Sequence, residues 1–303
     1  MTTHKAEVTL RPDPDRANEH RDAVADGLRW TFVRDALAST TQRFCELLRS
    51  DVRGDAPAVG DWTAGQTAAH VRVVALVDRL LATGAEPPVG FEDMAQRVAK
   101  ATMSTVADEI NRRSLEWEPS RDLALLADVI DAEVEQVLDA TRASKGADTV
   151  HWLGGLPLPR SAVLGHLLSE LLVHGHDIAT ANHVPFTIPS SDALLYFDAF
   201  MEEVVRNAPS VGFLDGATRD VGDVRWQLRL RGGRRMQFEY VAGQLQLDTT
   251  GRPDVRITAD PAAMLLVMYD RVAPVGPALR GQLVVWGRRP WRLRRVTKVL
   301  RAP

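Results

Sequence analysis

Cysteine is almost missing from this chain: Cys45 is the single thiol in 303 residues. An internal disulfide is therefore excluded, and the reading is of a protein kept in a reducing compartment, the cytoplasm. Long apolar runs are missing as well. No stretch reaches the ~18 consecutive apolar residues that a membrane-spanning helix needs, so no membrane partner is expected. The opening MTTHKAEVTLRPDPDRANEHRD has no hydrophobic stretch of signal-peptide type. Lysine occurs only at Lys5, Lys100, Lys145 and Lys298, so arginine carries nearly all the positive charge. The formal net charge of -3 gives no global reason to expect a nucleic-acid partner. What is present is an apolar fraction of 45%, ample for ordinary cores, in a chain long enough for two domains.

Apolar periodicity divides the chain. Residues 1–22 are polar with two prolines and read as a mobile N-terminal segment. From Ala23 to Arg49, Leu28, Phe32, Ala36, Phe44, Leu47 and Leu48 recur at helical spacing. Thr63 followed by Gln66 fits a capping box, opening a helix that runs to about Leu81, before Gly84 and Pro87-Pro88 stop it. Residues 91–114 carry a weaker helical pattern and Leu123–Ala143 a strong one. A loop with Gly154, Gly155, Pro157 and Pro159 leads into a last helix through Ala181. Helices without convincing strands, over 23–185, predict an all-α four-helix bundle. After Pro185 and Pro189 the pattern changes. A helix over Asp192–Asn207 precedes alternating runs at Val224–Arg231, Met236–Val241, Gln244–Asp248 and Val255–Ala259, and Asp260-Pro261 opens another helix. Residues 190–303 therefore read as a smaller α+β domain.

The most informative stretch is SAVLGHLLSELLVHGHDIATA, residues 161–181. Glu170 and His174 sit four residues apart, one turn along one helix face. Leu167, Leu168, Leu171, Leu172 and Val173 surround them, which puts a carboxylate on a face expected to be buried. A buried carboxylate is costly unless it is paired or bound to a metal. Glu and His on one inward turn suit zinc, and in helix bundles such pairs build metal sites between facing helices. His70, about two turns into the Thr63-capped helix, is the candidate third ligand; an unliganded core histidine is the other reading. Three ligands with an open fourth position describe a catalytic rather than a structural zinc site.

Trp62-Thr63 with His70, followed about a hundred residues later by Leu168-Ser169-Glu170 and Val173-His174-Gly175 with Asp177, resembles the mycothiol-dependent maleylpyruvate isomerase family of DinB-like actinobacterial metalloenzymes. The resemblance covers roughly residues 30–185. It implies an up-and-down four-helix bundle with one divalent metal, usually zinc, held by His70, Glu170 and His174, and mycothiol as the thiol cosubstrate. Ala64-Gly65-Gln66 depart from the more apolar or charged segment common there, which bears on the pocket rim and leaves the ligand in place. The Ala- and Arg-rich, Lys-poor composition agrees with such a source. Arg252 to Leu266, a strand entering a helix, is similar to the SCP2-like (sterol carrier protein type) domain that often follows the bundle in this family.

Other residues admit two readings each. His166, one turn before Glu170, would line the pocket or hydrogen-bond Glu170 rather than ligate. Asp177, one turn after His174, would orient its ring N–H, or else be a surface residue. His176 has a weaker case for a role. Trp62 reads as a packing anchor before a substrate contact, Cys45 as a buried structural thiol before a nucleophile, and His151-Trp152 as either pocket mouth or loop packing. The segment from Arg280 to Pro303 has eight basic residues and no acidic ones, which suits a solvated basic helix face before a surface for an anionic substrate, a thiol cofactor or a membrane.

The reading of function is a zinc-dependent, mycothiol-dependent enzyme. A thiol bound to the metal as thiolate would attack a small electrophilic, carboxylate-bearing substrate. Rotation and loss of the thiol gives an isomerase; retention of it gives an S-transferase. Two alternatives stay open: hydrolysis by zinc-bound water, and a metal-stabilised protein that binds a small molecule or lipid without catalysis. The expected partners are a small-molecule substrate and a low-molecular-weight thiol, in a monomer or homodimer.

Overall fold

The Thr63–Gln66 signal does what its chemistry dictates. In the computed structural model, which describes residues 14–101, 105–208 and 222–299, the Thr63 hydroxyl accepts from the Gln66 amide and the Gln66 side chain accepts from the Thr63 amide. The helix so opened, α2 (Ala64–Thr83), ends on Gly84 in the left-handed conformation. It is one of four long helices among the described residues. The others are α1 (Pro14–Arg49), α5 (Leu123–Ala140) and α6 (Arg160–Ala181). Both α1 and α2 pack against both α5 and α6. Leu37, Phe44, Ala68, Leu126, Ile130, Leu168 and Leu172 fill the space between them. Asp122 caps α5 by accepting from the amides of Ala124 and Leu125.

Two shorter helices, α3 (Glu92–Val98) and α4 (Arg112–Trp117), lie on the outer side of α2, joined through a π-helical stretch at Val106–Asn111. They build a second apolar cluster with α2 from Val73, Val77, Phe91, Val98 and Ile110. α1 begins at Pro14, inside the segment expected to be mobile; residues 1–13 of that segment lie outside the described residues.

The expectation that this half has no strands needs correction. Pro57–Val59 (β1) pairs with Trp62–Thr63 (β2), and Thr149–Trp152 (β3) pairs with Leu156–Pro159 (β4). Strands of two to four residues are too short to print an alternating pattern. The β3–β4 hairpin is made by Gly154 and Gly155, both at positive φ (65° and 75°). At Gly154 a Cβ would also stand 2.6 Å from the Ala101 carbonyl oxygen.

Beyond α6, the chain runs through α7 (Ser190–Leu195), a π-helical stretch (Tyr196–Met201) and α8 (Glu202–Asn207), where one continuous helix was expected. Then come β5 (Val224–Leu230), β6 (Arg235–Val241), β7 (Gln244–Leu247), β8 (Val255–Ala259), α9 (Pro261–Met268), α10 (Val275–Leu279), β9 (Leu283–Trp286) and α11 (Leu293–Val299). The five strands form one sheet in the order β7-β6-β5-β8-β9. Only β5 and β8 pair in parallel. β9 was not foreseen, because Leu283–Trp286 is a run of only four residues, all apolar, with no alternation to mark a strand. Trp226, Leu228, Phe238, Tyr240 and Ile257 point to the buried face, where the Trp226 and Phe238 rings stack at 5.1 Å. The stretch 190–207 joins the two halves: its π turn packs on α6, α7 packs on α9 and α8 on β7.

Candidate functional site

His70 projects from the second turn of α2, and Glu170 and His174 from the middle of α6, two helices in direct contact. The three side chains are buried, and their ligand atoms lie within 4.8 Å of one another. Nε2 of His70 and Nε2 of His174 each stand 3.3 Å from Oε2 of Glu170. One carboxylate oxygen is thus shared between two imidazoles, whose rings meet edge-on at 5.2 Å.

Each imidazole is held from behind. His174 Nδ1 lies 3.0 Å from Asp177 Oδ2, and His70 Nδ1 lies 3.5 Å from Ser114 Oγ, whose own proton goes to the Asn111 carbonyl. As the rings stand, Nε2–H can donate to Oε2 of Glu170; with Nδ1–H engaged by an outer oxygen, displacement of the Nε2 proton by a metal would leave that lone pair aimed at the shared point. Asp177 is in turn gripped by Arg271, with Nε at 2.9 and 3.1 Å from its two oxygens and Nη2 at 3.0 Å from Oδ2. Arg271 comes from the turn after α9, so the C-terminal half reaches the site. Sequence reasoning did not single out Arg271.

His166 faces the other oxygen of Glu170, with Nε2 at 3.6 Å from Oε1, and sends Nδ1 to Asp78 Oδ2 at 2.7 Å. Its ring packs edge-on against Trp152 at 5.1 Å and tilted against Phe200 at 5.0 Å, and those two rings also meet each other. Asp78 was also missed, although a signal existed: it is the only carboxylate within the apolar helix Ala64–Thr83.

The electrostatics follow from burial and pairing. Burial would push Glu170 up, but hydrogen bonds from His174 and His70 outweigh it and hold the carboxyl well below the ordinary value. Burial opposes charge on His174, yet Asp177 and Glu170 carry it up to about 9. His70 goes the other way, lowered mainly by burial. Burial pushes Asp78 up despite His166 beside it. His166 is raised by Asp78 against the pull of burial.

These groups form the floor of a cavity of about 310 Å³. Trp62, Asn111, Ser114, Tyr269 and Arg271 also line it, together with the apolar Val73, Val77, Val98, Val106, Ile110 and Phe200. Both π-helical stretches reach it, through Val106, Ile110 and Asn111 and through Phe200. A π turn swings side chains out of α-helical register, and such turns gather at functional sites. Trp62, read as a packing anchor, does both jobs: it lies 5.1 Å from the His70 ring and lines the cavity. In the His151-Trp152 pair the strand alternation decides: Trp152 faces the cavity and His151 faces solvent. Cys45 lies away from the cavity, buried, with Sγ 3.3 Å from the Ala127 carbonyl; burial first, then Asp131, pushes its thiol up to about 12. Of the basic C-terminal segment, Arg289 and Arg292 bind Asp254.

The donor set fits a divalent metal. Two imidazole nitrogens and one carboxylate oxygen converge from two rigid helices, both rings are oriented by outer partners, and the cavity opens over the shared point. Among curated proteins nothing matches the chain. Residues 33–179, running from within α1 to the last turn of α6 and carrying His70, Glu170 and His174, match the family model of the mycothiol maleylpyruvate isomerase N-terminal domain, and over the helices that build the site the chain is similar to that domain.

Proposed function

We propose that the protein is a zinc-dependent enzyme using a low-molecular-weight thiol, mycothiol, as an isomerase or S-transferase on a small electrophile. The observation that carries this reading is the convergence of His70, Glu170 and His174 within 4.8 Å on the floor of an open cavity. The family match over 33–179 supports the thiol. On this reading the helical half is a DinB-like four-helix bundle, and residues 190–303 are an SCP2-like domain.

His70, Glu170 and His174 would hold the metal, which when bound supplies the Lewis acidity that makes a thiol a thiolate nucleophile at neutral pH. The remaining work belongs to the chain. Asp177 keeps the Nδ1 proton on His174, so that Nε2 stays a ligand. Ser114 does the same for His70. His166, anchored by Asp78, borders the second oxygen of Glu170 and keeps that carboxylate from turning. Arg271 neutralises Asp177, so a buried carboxylate stands behind His174 without an uncompensated charge. Trp62, Val73, Val77 and Phe200 exclude water from the reacting carbon, which protects a carbanionic or enolate adduct from side reactions.

Elemental analysis of the untagged chain tests the reading. About one zinc per chain is expected, lost in Glu170→Ala, with thiol-dependent turnover lost alongside. Zinc retained in both Glu170→Ala and His70→Ala would remove the metal site, and the enzyme reading with it. No metal in the wild type would leave Glu170 and His174 a structural polar pair and favour a binding protein.

A further inference from the structure

Five of the nine large apolar side chains left exposed on the described residues fall within residues 275–291: Val275, Leu279, Val284, Trp286 and Trp291. Single exposed apolar residues are ordinary, but a group of them marks a surface that something covers. Strand register places two of the five. Val284 and Trp286 stand on β9, on the face of the sheet turned away from the core. Side chains paired across neighbouring strands share a face. One row across the sheet therefore runs Arg235, Arg229, Thr258, Val284, and the next runs Gln237, Gln227, Arg256, Trp286. α10 leads into β9 and packs on it, with Leu279 85% and Val275 65% exposed, so it extends the apolar margin. The face has a cationic side on β5 and β6 and an apolar side at β9 and α10. The two sides join where the Arg256 guanidinium lies 4.8 Å over the Trp286 ring.

The charges on this face are out of balance. Arg229 and Arg235 stand directly opposite each other on β5 and β6, where like charges repel. Neither makes an ion pair with a described residue. Glu239, the acidic residue that β6 adds to the face, is taken by Arg225 across the same strand pair at 2.6 Å. Arg229, Arg235 and Arg256 are thus left on the solvent side with no free carboxylate beside them among the described strands.

This asymmetry selects the partner. An anionic lipid leaflet offers phosphates above an apolar layer, and so takes arginine, tryptophan and aliphatic side chains together. A nucleic acid would engage the arginines and leave Leu279 and Val275 bare. A second copy meeting this face about a two-fold axis would set the three arginines against the same three. We infer that the solvent face of the sheet, with α10, is a docking surface for an anionic lipid leaflet. The arginines meet the headgroups, and Leu279, Val284 and Trp286 enter the boundary below them. Docking of this kind needs no spanning helix, and it is independent of the thiol-dependent reading.

Sedimentation of the full chain with vesicles tests the surface. Vesicles of equal parts phosphatidylcholine and phosphatidylglycerol should bind it at least about tenfold more tightly than phosphatidylcholine alone. Raising the salt from about 0.1 to about 0.5 M should release it. Each arginine near an anionic leaflet strengthens binding about fivefold, so Arg229→Gln with Arg235→Gln should weaken it roughly twentyfold. Leu279→Gln with Trp286→Gln should weaken it about tenfold. Val89→Gln, at an exposed apolar residue between α2 and α3, should leave it unchanged. Thermal unfolding verifies that each variant folds, and Leu279→Gln alone serves if its pair does not. Binding to neither vesicle, equal binding to both, or binding indifferent to both sets of folded variants overturns the proposal. If an oligo(dT) strand binds as tightly as the anionic vesicles and Leu279→Gln changes neither, the face is a general polyanion site and the lipid proposal falls. If the wild type is a dimer in sedimentation velocity and Leu279→Gln with Trp286→Gln makes it a monomer, the face is a subunit interface and the proposal falls likewise.

Discussion

Asp198 shows how a single residue can hold a stability switch away from the cavity. It lies in the π turn Tyr196–Met201. Burial first, then the nearby Glu202, push its carboxyl up from 3.8 to about 6, and its Oδ1 has no hydrogen-bond partner among the described residues. The folded state therefore binds this proton more tightly than the unfolded chain does. Asp198 costs nothing below the ordinary carboxylate value. The cost grows as pH rises from about 4 to about 6 and is complete above that. Asp198→Asn should raise stability at pH 7.5 by ~1–3 kcal/mol and change it little at pH 4. Urea unfolding of both proteins at the two pH values measures this; an equal effect at both would mean that the carboxyl is not perturbed. The metal-ligand candidates behave differently. Their neighbours, Asp177 and Ser114, supply the partners that Asp198 lacks, so burial there is matched by hydrogen bonds rather than left as strain.

At the scale of elements, what positions the site is the way helices begin and turn. His70 owes its depth to α2 starting where it does, and α2 starts at Thr63 because the Thr63–Gln66 box satisfies amides that the first turn leaves bare. Thr63→Ala should cost about 1 kcal/mol, read as a lower urea midpoint with an unchanged slope. No change in midpoint would mean that β2 pairing alone sets the helix start. The β3–β4 hairpin is the second positioning element. Its alternation sends Trp152 toward His166, and its glycines permit a turn tight against Ala101. The capping box was legible in the sequence because it is a local pattern of two residues. The hairpin and both π turns were not, because short strands and a single extra residue per turn leave no period to detect.

For the whole molecule, the joint between the halves runs through Arg271 and Asp177. Removing one partner of a buried pair leaves the other uncompensated, so Arg271→Met should destabilise the chain by ~2–4 kcal/mol. Pairing it with Asp177→Asn should recover part of that loss, because the stranded charge is gone. Additive losses in this cycle would mean that the pair does not couple the halves. On the proposed reading the same contact makes metal affinity fall in Arg271→Met even though Arg271 is not among the candidate ligands, because its partner holds His174.

The sequence by itself determined which residues are able to form a metal site. Glu170 and His174 share a helix face by spacing, and a carboxylate among leucines has few uses, so local periodicity and burial cost were enough to nominate them. It also determined the division into a helical half and a strand-bearing half, since 3.6- and two-residue periods are written along the chain. Only the tertiary structure decided what surrounds those residues. Asp78 beside His166, Ser114 behind His70, Arg271 on Asp177 and the valine walls of the cavity come from segments tens of residues apart in sequence. They meet because helices and sheet pack on shared apolar faces, and such packing depends on three-dimensional fit, for which a linear pattern carries no code.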